Sequence, residues 1–242
     1  MFIKQIIIII MEKTKLSNFS LRGKFNPENP VVFHVFSIIK RVIYFIERCM
    51  NKEFIEYHQF PFSTLDIRLK DEDAKELYEV CKMLEAVGLQ YRVTDGIALG
   101  LYRDGHFIRH DNDLDFDLLD VNDTKEIKSV MSKRGYKVGR EAYYKGVLQQ
   151  IVFYNKDHVI VDYVVWHTVD NNKIVNYEEK GYVRKQDAKY FLTHTDFDCY
   201  GYTFKLPGYI EKWFVDRYGE DWRIPKTYKG DWKDECPDLA KL

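Results

Sequence analysis

The chain has 242 residues, of which 45% are hydrophobic and 31% are charged, as is ordinary for a soluble globular protein. Its 37 Lys and Arg residues nearly balance 38 Asp and Glu residues, and the net charge of −1 gives no global field for nucleic acid, so no nucleic-acid partner is expected. The four cysteines are too far apart for a Cys-x-x-Cys zinc or redox motif, and we expect reduced thiols.

Residues 1–66 are predicted to form an N-terminal extension, and residues 67–242 the main domain. The apolar run at residues 6–11 is far shorter than the ~20 residues of a membrane-spanning helix, and charged residues follow it at once. With no small-residue cleavage site either, we expect neither a signal peptide nor a transmembrane helix, and a cytoplasmic location. Residues 31–50 predict a helix docked on the domain; the alternative is peripheral contact of this helix with a membrane surface.

The main domain is predicted to begin with a helix, a strand and a second helix. Residues 71–87 carry apolar side chains at helical spacing, with acidic residues in the first turn and Gly88 as a stop. Residues 90–94 predict a short strand, and residues 96–103 predict a turn that opens a short helix. Residues 113–119 then alternate between carboxylates and large apolar side chains, which is the period of a strand.

The rest of the chain predicts a helix, a β-hairpin, two more strands and a final helix. In chain order these occupy residues 122–134, 148–154 with 159–166, 173–177, 200–206 and 207–218. The turn Asn155-Lys156-Asp157 joins the two hairpin strands. This order predicts an α/β (α+β) domain with a mixed sheet and helices packed on it.

The sharpest feature is the run Asp111-Asn112-Asp113-Leu114-Asp115-Phe116-Asp117-Leu118. Alternate residues of a strand face the same side, so Asp113, Asp115 and Asp117 share one face and the apolar residues between them share the other. Neighbouring carboxylates on that face are ~6.5–7 Å apart at the backbone, since a strand rises ~3.3 Å per residue. Stacked anions repel, and a shared divalent cation relieves that repulsion.

Three other interpretations of this run compete with a metal site. A solvated acidic strand face is one, although acidic residues are poor strand formers. A helix–loop–helix calcium loop is another, but that pattern requires Gly and Glu where the chain has Leu118 and Thr124. A ligand-free acidic turn is the third, and the large apolar residues within the run argue against it.

Asp162 lies in an apolar strand-like run at residues 159–166, where an unpaired carboxylate costs several kcal/mol. If this strand lies beside residues 113–119, Asp162 completes a carboxylate cluster. The alternative is that Asp162 accepts hydrogen bonds from a neighbouring loop, and the sequence favours neither.

These residues resemble the motifs of the LicD family, which includes phosphocholine transferases and fukutin-type ribitol-phosphate transferases. The match runs from Asp95-Gly96-Ile97-Ala98-Leu99-Gly100-Leu101-Tyr102-Arg103 through Phe107-Ile108 to Asp111-Asn112-Asp113-Leu114-Asp115. Two later family elements are similar to Val161-Asp162-Tyr163 and to Tyr218-Gly219-Glu220-Asp221-Trp222-Arg223-Ile224-Pro225. The resemblance therefore covers about residues 71–230, with its motifs in the family's order.

The resemblance implies a nucleotidyltransferase-like fold and a metal-dependent transferase. It implies that Asp113 and Asp115 bind Mg²⁺ or Mn²⁺, with Asp162 as the third metal-binding acid. Asp117 or Asp162 is then the catalytic carboxylate that orients or deprotonates an acceptor hydroxyl.

Four residues are implied to bind substrate: Gly96, Gly100, Arg103 and Asp111. The glycines would allow backbone N–H groups to approach phosphate, and Arg103 would pair with phosphate or with a neighbouring acid. Ile97 departs from the family pattern, which has a hydroxyl residue there, and Arg109-His110 replaces a Pro-aromatic pair.

The implied reaction moves a phospho-alcohol, such as phosphocholine or ribitol phosphate, from a CDP-activated donor to a hydroxyl of a glycan or small molecule. One alternative is a nucleotidyltransferase that adds NMP from an NTP to a small molecule. Another is a non-catalytic relative that binds a cation or nucleotide, which the isoleucine at position 97 keeps open.

Overall fold

The computed structural model describes residues 53–58, 68–155, 159–178, 181–226 and 236–242. The helix predicted at residues 31–50, with its membrane contact, lies outside the described residues, as do residues 156–158 of the hairpin turn. Among the helices of the described ranges, none combines the length and apolar character needed to cross a bilayer.

The first half of the described chain alternates helices and strands, as predicted, and five consecutive strands follow it. The helices α1 to α5 are Ala74–Ala86, Asp95–Asp104, Lys125–Lys133, Lys189–Leu192 and Ile210–Tyr218. The strands β1 to β11 are Phe54–His58, Tyr91–Val93, Leu114–Leu119, Lys137–Tyr144, Val147–Tyr154, Ile160–Asp170, Lys173–Glu178, Tyr182–Asp187, His194–Cys199, Tyr202–Pro207 and Leu239–Lys241.

Nine of the described strands form one sheet, in the order β1-β4-β5-β6-β7-β8-β11, with β3 beside β6 and β2 beside β3. Strands β3 and β6 run parallel, whereas the other described pairs are antiparallel. The long strand β6 pairs with β3 and β5 through its first part and with β7 through its last part, so the sheet curls there. The predicted mixed sheet with flanking helices is confirmed.

The apolar face of β3 forms the centre of the core. Leu114, Phe116 and Leu118 are each 0% exposed, as the alternating sequence predicts. The Phe116 ring packs against Tyr163 of β6, with ring centroids 5.4 Å apart. Complete burial of such a side chain stabilises the fold by about 1.5–3 kcal/mol, so the apolar residues hold β3 in place while the acids face the other way.

Helix α1 covers this core with the stripe that the sequence predicts. Ala74, Leu77, Cys81 and Leu84 are buried, at the spacing of one helix face. Gly88 follows the helix at a φ of 70°, a left-handed conformation that glycine adopts without steric cost.

Several strands are absent from the sequence prediction. Strand β1 lies in the predicted N-terminal extension, in a stretch expected to be a connection, yet it pairs along its length with β4. Strand β4 itself has register shifts between Val138 and Arg140 and between Ala142 and Tyr143. Such irregularities break the alternation by which a strand is recognised. Strands β8, β9 and β11 and the short helix α4 were also not predicted.

The described cysteines are free thiols, as expected: Cys81, Cys199 and Cys236. Burial raises the pKa of the Cys81 thiol to about 12, which keeps it protonated and unreactive at neutral pH.

Candidate functional site

Three carboxylates converge on the face of the sheet opposite the main core. Asp115 of β3 lies directly opposite Asp162 of β6 in the parallel register, and Asp113 immediately precedes β3. One carboxylate oxygen from each of the three lies within 4.8 Å of the others. The structure therefore brings together the three residues that the sequence predicts to hold a metal ion.

These acids repel one another in the absence of a cation. Burial, followed by the charge of Asp111, raises the pKa of Asp113 to about 6. Burial also raises the pKa of Asp162 to about 7, with Asp113 adding to the shift. The pKa of Asp115 is raised well above its ordinary value, by burial first and by Asp113 next. A divalent cation among these oxygens would offset the repulsion.

The donor set fits a hard divalent cation. It consists of half-buried carboxylates with no sulfur or imidazole among the clustered atoms, and oxygen ligands are those that Mg²⁺ and Mn²⁺ prefer. Asp113, Asp115 and Asp162 are accordingly the residues that would hold the ion.

Asp162 is also bound by an amide that the sequence prediction missed. Gln150 of β5 donates from Nε2 to both carboxylate oxygens of Asp162, at 2.9 and 2.6 Å. The Oε1 atom of Gln150 accepts a hydrogen bond from Arg140 of β4. A Gln within an apolar strand carries the same signal as Asp162, because a buried polar group requires a partner.

Asp117 shares the acidic face of β3 but lies outside the cluster of three. Its Oδ2 atom accepts a 2.7 Å hydrogen bond from Nε of Arg92 on β2, and both side chains are almost completely buried. Arg92 also donates to Gln186 at 2.8 Å. The charge of Asp117 is therefore already matched by a buried guanidinium, and its catalytic role stays a prediction.

The two glycines of the predicted phosphate-binding turn lie within helix α2. A Cβ atom at Gly100 would lie 2.8 Å from the backbone oxygen of His106 and 3.0 Å from the backbone nitrogen of Ile108. Gly100 therefore allows the helix to pack closely on the following loop. This packing explains a glycine at position 100 without a bound phosphate. A Cβ at Gly96 would lie 2.5 Å from Oδ2 of Asp111, so Gly96 makes room for that carboxylate near the start of the helix.

Asp111 extends the acidic region next to Asp113. Its Oδ2 atom is buried and has no hydrogen-bond partner. Burial, and secondarily the charge of Asp95, raises the pKa of Asp111 to about 6.

Arg103 pairs with a neighbouring acid, which is one of the two partners that the sequence left open. Its Nε and Nη2 atoms donate to the two carboxylate oxygens of Asp104 at 2.9 and 2.6 Å. Its Nη1 atom lies 3.4 Å from the backbone oxygen of Trp222. These contacts anchor the end of α2 to the C-terminal part of the domain and leave the guanidinium engaged.

The sequence prediction also missed two buried arginines, Arg217 of α5 and Arg184 of β8, which contact Asp95 at the start of α2. Asp95 accepts from Nε of Arg217 at 2.7 Å and lies 3.5 Å from Nη1 of Arg184. Burial alone would raise the pKa of Asp95, but the charges of Arg217 and Arg184 outweigh it and hold that pKa well below its usual range. Asp95 has a φ of 44°, so these ion pairs fix a left-handed residue beside the acid cluster.

Comparisons with known proteins show a partial similarity of fold. No protein-family model and no curated protein matches the chain. Among solved structures, the chain is similar to the crystal structure of the lincosamide antibiotic adenylyltransferase LnuA with lincomycin bound. The two chains are 15% identical with a TM-score of 0.42, over 55% of this chain and 79% of that chain. Membership of the LicD family remains a prediction.

Proposed function

We propose that the chain is a metal-dependent transferase that moves a phospho-alcohol from a CDP-activated donor to a hydroxyl of a glycan or small molecule. The observation that carries the proposal is the convergence of Asp113, Asp115 and Asp162 within 4.8 Å. The order of the LicD-like motifs along the sequence supports the choice of donor.

In this proposal the three acids hold Mg²⁺ or Mn²⁺. When bound, such an ion stabilises the negative charge that develops on the diphosphate as the leaving group departs. Asp162 also accepts the proton of the acceptor hydroxyl, because Asp117 is occupied by Arg92. The acceptor oxygen forms a bond to the phosphorus of the transferred group, and the bond from that phosphorus to the CMP oxygen breaks.

Groups at the start of α2 are proposed to bind the donor. The N–H groups of Asp95, Gly96 and Ile97 precede the first hydrogen bond of the helix, which joins the nitrogen of Ala98 to the oxygen of Thr94. Such first-turn N–H groups suit a phosphate. The carboxylate of Asp111 accepts hydrogen bonds, so it suits a hydroxyl of the CDP-activated substrate better than a phosphate.

The test is to incubate the protein with magnesium, candidate acceptors and a panel of CDP-alcohols and NTPs, and to weigh the products. A mass gain of one phospho-alcohol, with release of CMP, supports the proposal. A mass gain of one nucleotide would assign the chain to NMP transfer instead. Binding of magnesium and CDP in calorimetry without any turnover would identify a non-catalytic protein.

The variant that tests the assignment of the acids is Asp113→Asn, which keeps the shape of the side chain and removes its charge. Turnover should be lost while the circular dichroism spectrum is retained. Full metal-dependent turnover by this variant would show that the acids are wrongly assigned.

A further inference from the structure

Asp162 and Asp117 lie on adjacent strands of the same sheet but have opposite kinds of partner. Asp117 is bound by the guanidinium of Arg92, so its charge is neutralised. Asp162 accepts hydrogen bonds from the uncharged amide of Gln150, so its orientation is fixed without a hydrogen-bonded cation that would neutralise its charge. A cationic partner at the position of Gln150 would compete with a metal ion for that charge, and an amide does not.

The amide of Gln150 has one productive orientation. Arg140 is a donor only, and because it donates to Oε1, the Nε2 side of the amide must face Asp162. Arg140 is in turn 3.5 Å from Glu56 of β1. The contacts thus run across four consecutive strands of the sheet, β1, β4, β5 and β6, and end at the carboxylate of Asp162.

We propose that Gln150 is a positioning residue of the metal centre, which orients the Asp162 carboxylate, and that Arg140 sets the orientation of the Gln150 amide. This inference rests on the part of the proposed function in which Asp113, Asp115 and Asp162 hold a divalent cation. Residues that orient a ligand in this way commonly change metal affinity by about 10–100-fold when they are replaced.

The chain provides a matched control at the preceding residue. Gln149 is also buried on β5, but it donates to the backbone oxygen of Val147 at 3.1 Å and accepts from the backbone nitrogen of Tyr177 at 2.8 Å. Neither of these partners is one of the three acids, because alternate residues of a strand face opposite sides. Gln149→Leu therefore removes a side-chain amide of the same kind from the same strand, without removing a contact of Asp162.

The experiment measures Mn²⁺ affinity by calorimetry, and the spectrum of bound Mn²⁺ by electron paramagnetic resonance, for the full chain and both variants. Gln150→Leu should weaken Mn²⁺ binding about tenfold or more and broaden the spectrum, because Asp162 can rotate. Gln149→Leu should lower the melting temperature but leave Mn²⁺ affinity within about twofold. If Gln150→Leu does not fold, Gln150→Met, which keeps the length of the side chain, replaces it.

Each contrary outcome has a distinct meaning. Unchanged Mn²⁺ affinity and spectrum in a folded Gln150 variant, with binding by the unaltered chain, overturns the role of Gln150 and leaves the metal centre standing. Equal losses in the Gln149 and Gln150 variants also overturn that role, because the effect is then one of general destabilisation. Absence of Mn²⁺ binding by the unaltered chain overturns this inference and the metal centre together.

Discussion

Asp115 and Asp162 lie opposite each other on the parallel strands β3 and β6. Parallel neighbours cannot be joined by a tight turn, and here α3, β4 and β5 lie between them in the chain. The carboxylate pair therefore forms only when the sheet is complete. The arrangement costs stability without a cation, because both pKa values are raised, and this cost leads to the first two predictions.

Removing one of the clustered charges should stabilise the metal-free protein. The pKa of Asp113 is raised to about 6, so Asp113→Asn should increase the free energy of unfolding at pH 8 by about 1–3 kcal/mol. Urea denaturation in the presence of a chelator measures this. A destabilised Asp113→Asn protein would contradict the proposed repulsion. Asp123→Asn, at an exposed acid outside the cluster, is the control and should change stability little.

The metal-free protein should lose stability as the pH rises from 5.5 to 8. The folded-state pKa values of Asp113 and Asp162, about 6 and about 7, lie above the unfolded value of about 3.9. The folded protein therefore binds more protons than the unfolded chain in this range, and raising the pH through 6–7 removes that stabilisation. Magnesium should reduce the difference in melting temperature. A melting temperature that rises from pH 5.5 to 8 without metal would exclude this account.

Breaking the buried pair of Arg92 and Asp117 should be costly. Arg92→Leu leaves the Asp117 carboxylate unpaired among side chains that are 1–2% exposed, and such a loss costs about 3–5 kcal/mol. Replacing both residues by Leu should restore part of the stability. The control is Arg134→Leu, which breaks a more exposed pair with Glu76 and should cost about 1 kcal/mol or less. Equal effects of the Arg92 and Arg134 changes would contradict the structural role of Asp117.

The two glycines of α2 should respond differently to alanine. Gly100→Ala places Cβ against the backbone of His106 and Ile108, which cannot move aside easily, so we expect a loss of about 1–3 kcal/mol. Gly96→Ala meets the end of the Asp111 side chain, which can rotate, so the loss of stability should be smaller. Thermal melts of both variants test the ranking, and a more stable Gly100→Ala protein would refute it.

The acid cluster was predictable from the sequence because each member carries a local signal. Asp113 and Asp115 alternate with residues that fill the core, and Asp162 interrupts an apolar strand. The fold class followed from the same periodicities. Which of the acids remain available for a cation was not predictable, because Asp117 receives its partner from β2 and that pairing depends on the register of the sheet.

The residues that hold the cluster in place were missed for the same reason. Gln150 and Arg140 meet across β4 and β5, where register shifts in β4 hide the strand period. Gly100 shows a different limit of the sequence: the glycine suggests phosphate binding, but the close approach of a backbone segment also requires a glycine there. Local patterns identify chemically unusual residues, whereas their partners depend on long-range pairing.

The pairing of β1 with β4 has a practical consequence for anyone dividing the chain. A recombinant fragment that starts at residue 67, where the predicted N-terminal extension ends, would lack β1 and leave β4 as an open edge of the sheet. Unpaired backbone groups along an edge invite other chains to add strands. In the described sheet the edge is the five-residue strand β1, and in the fragment it would be the eight-residue strand β4. The fragment would therefore be more prone to aggregate on purification than the full chain, even though it retains every acid of the cluster.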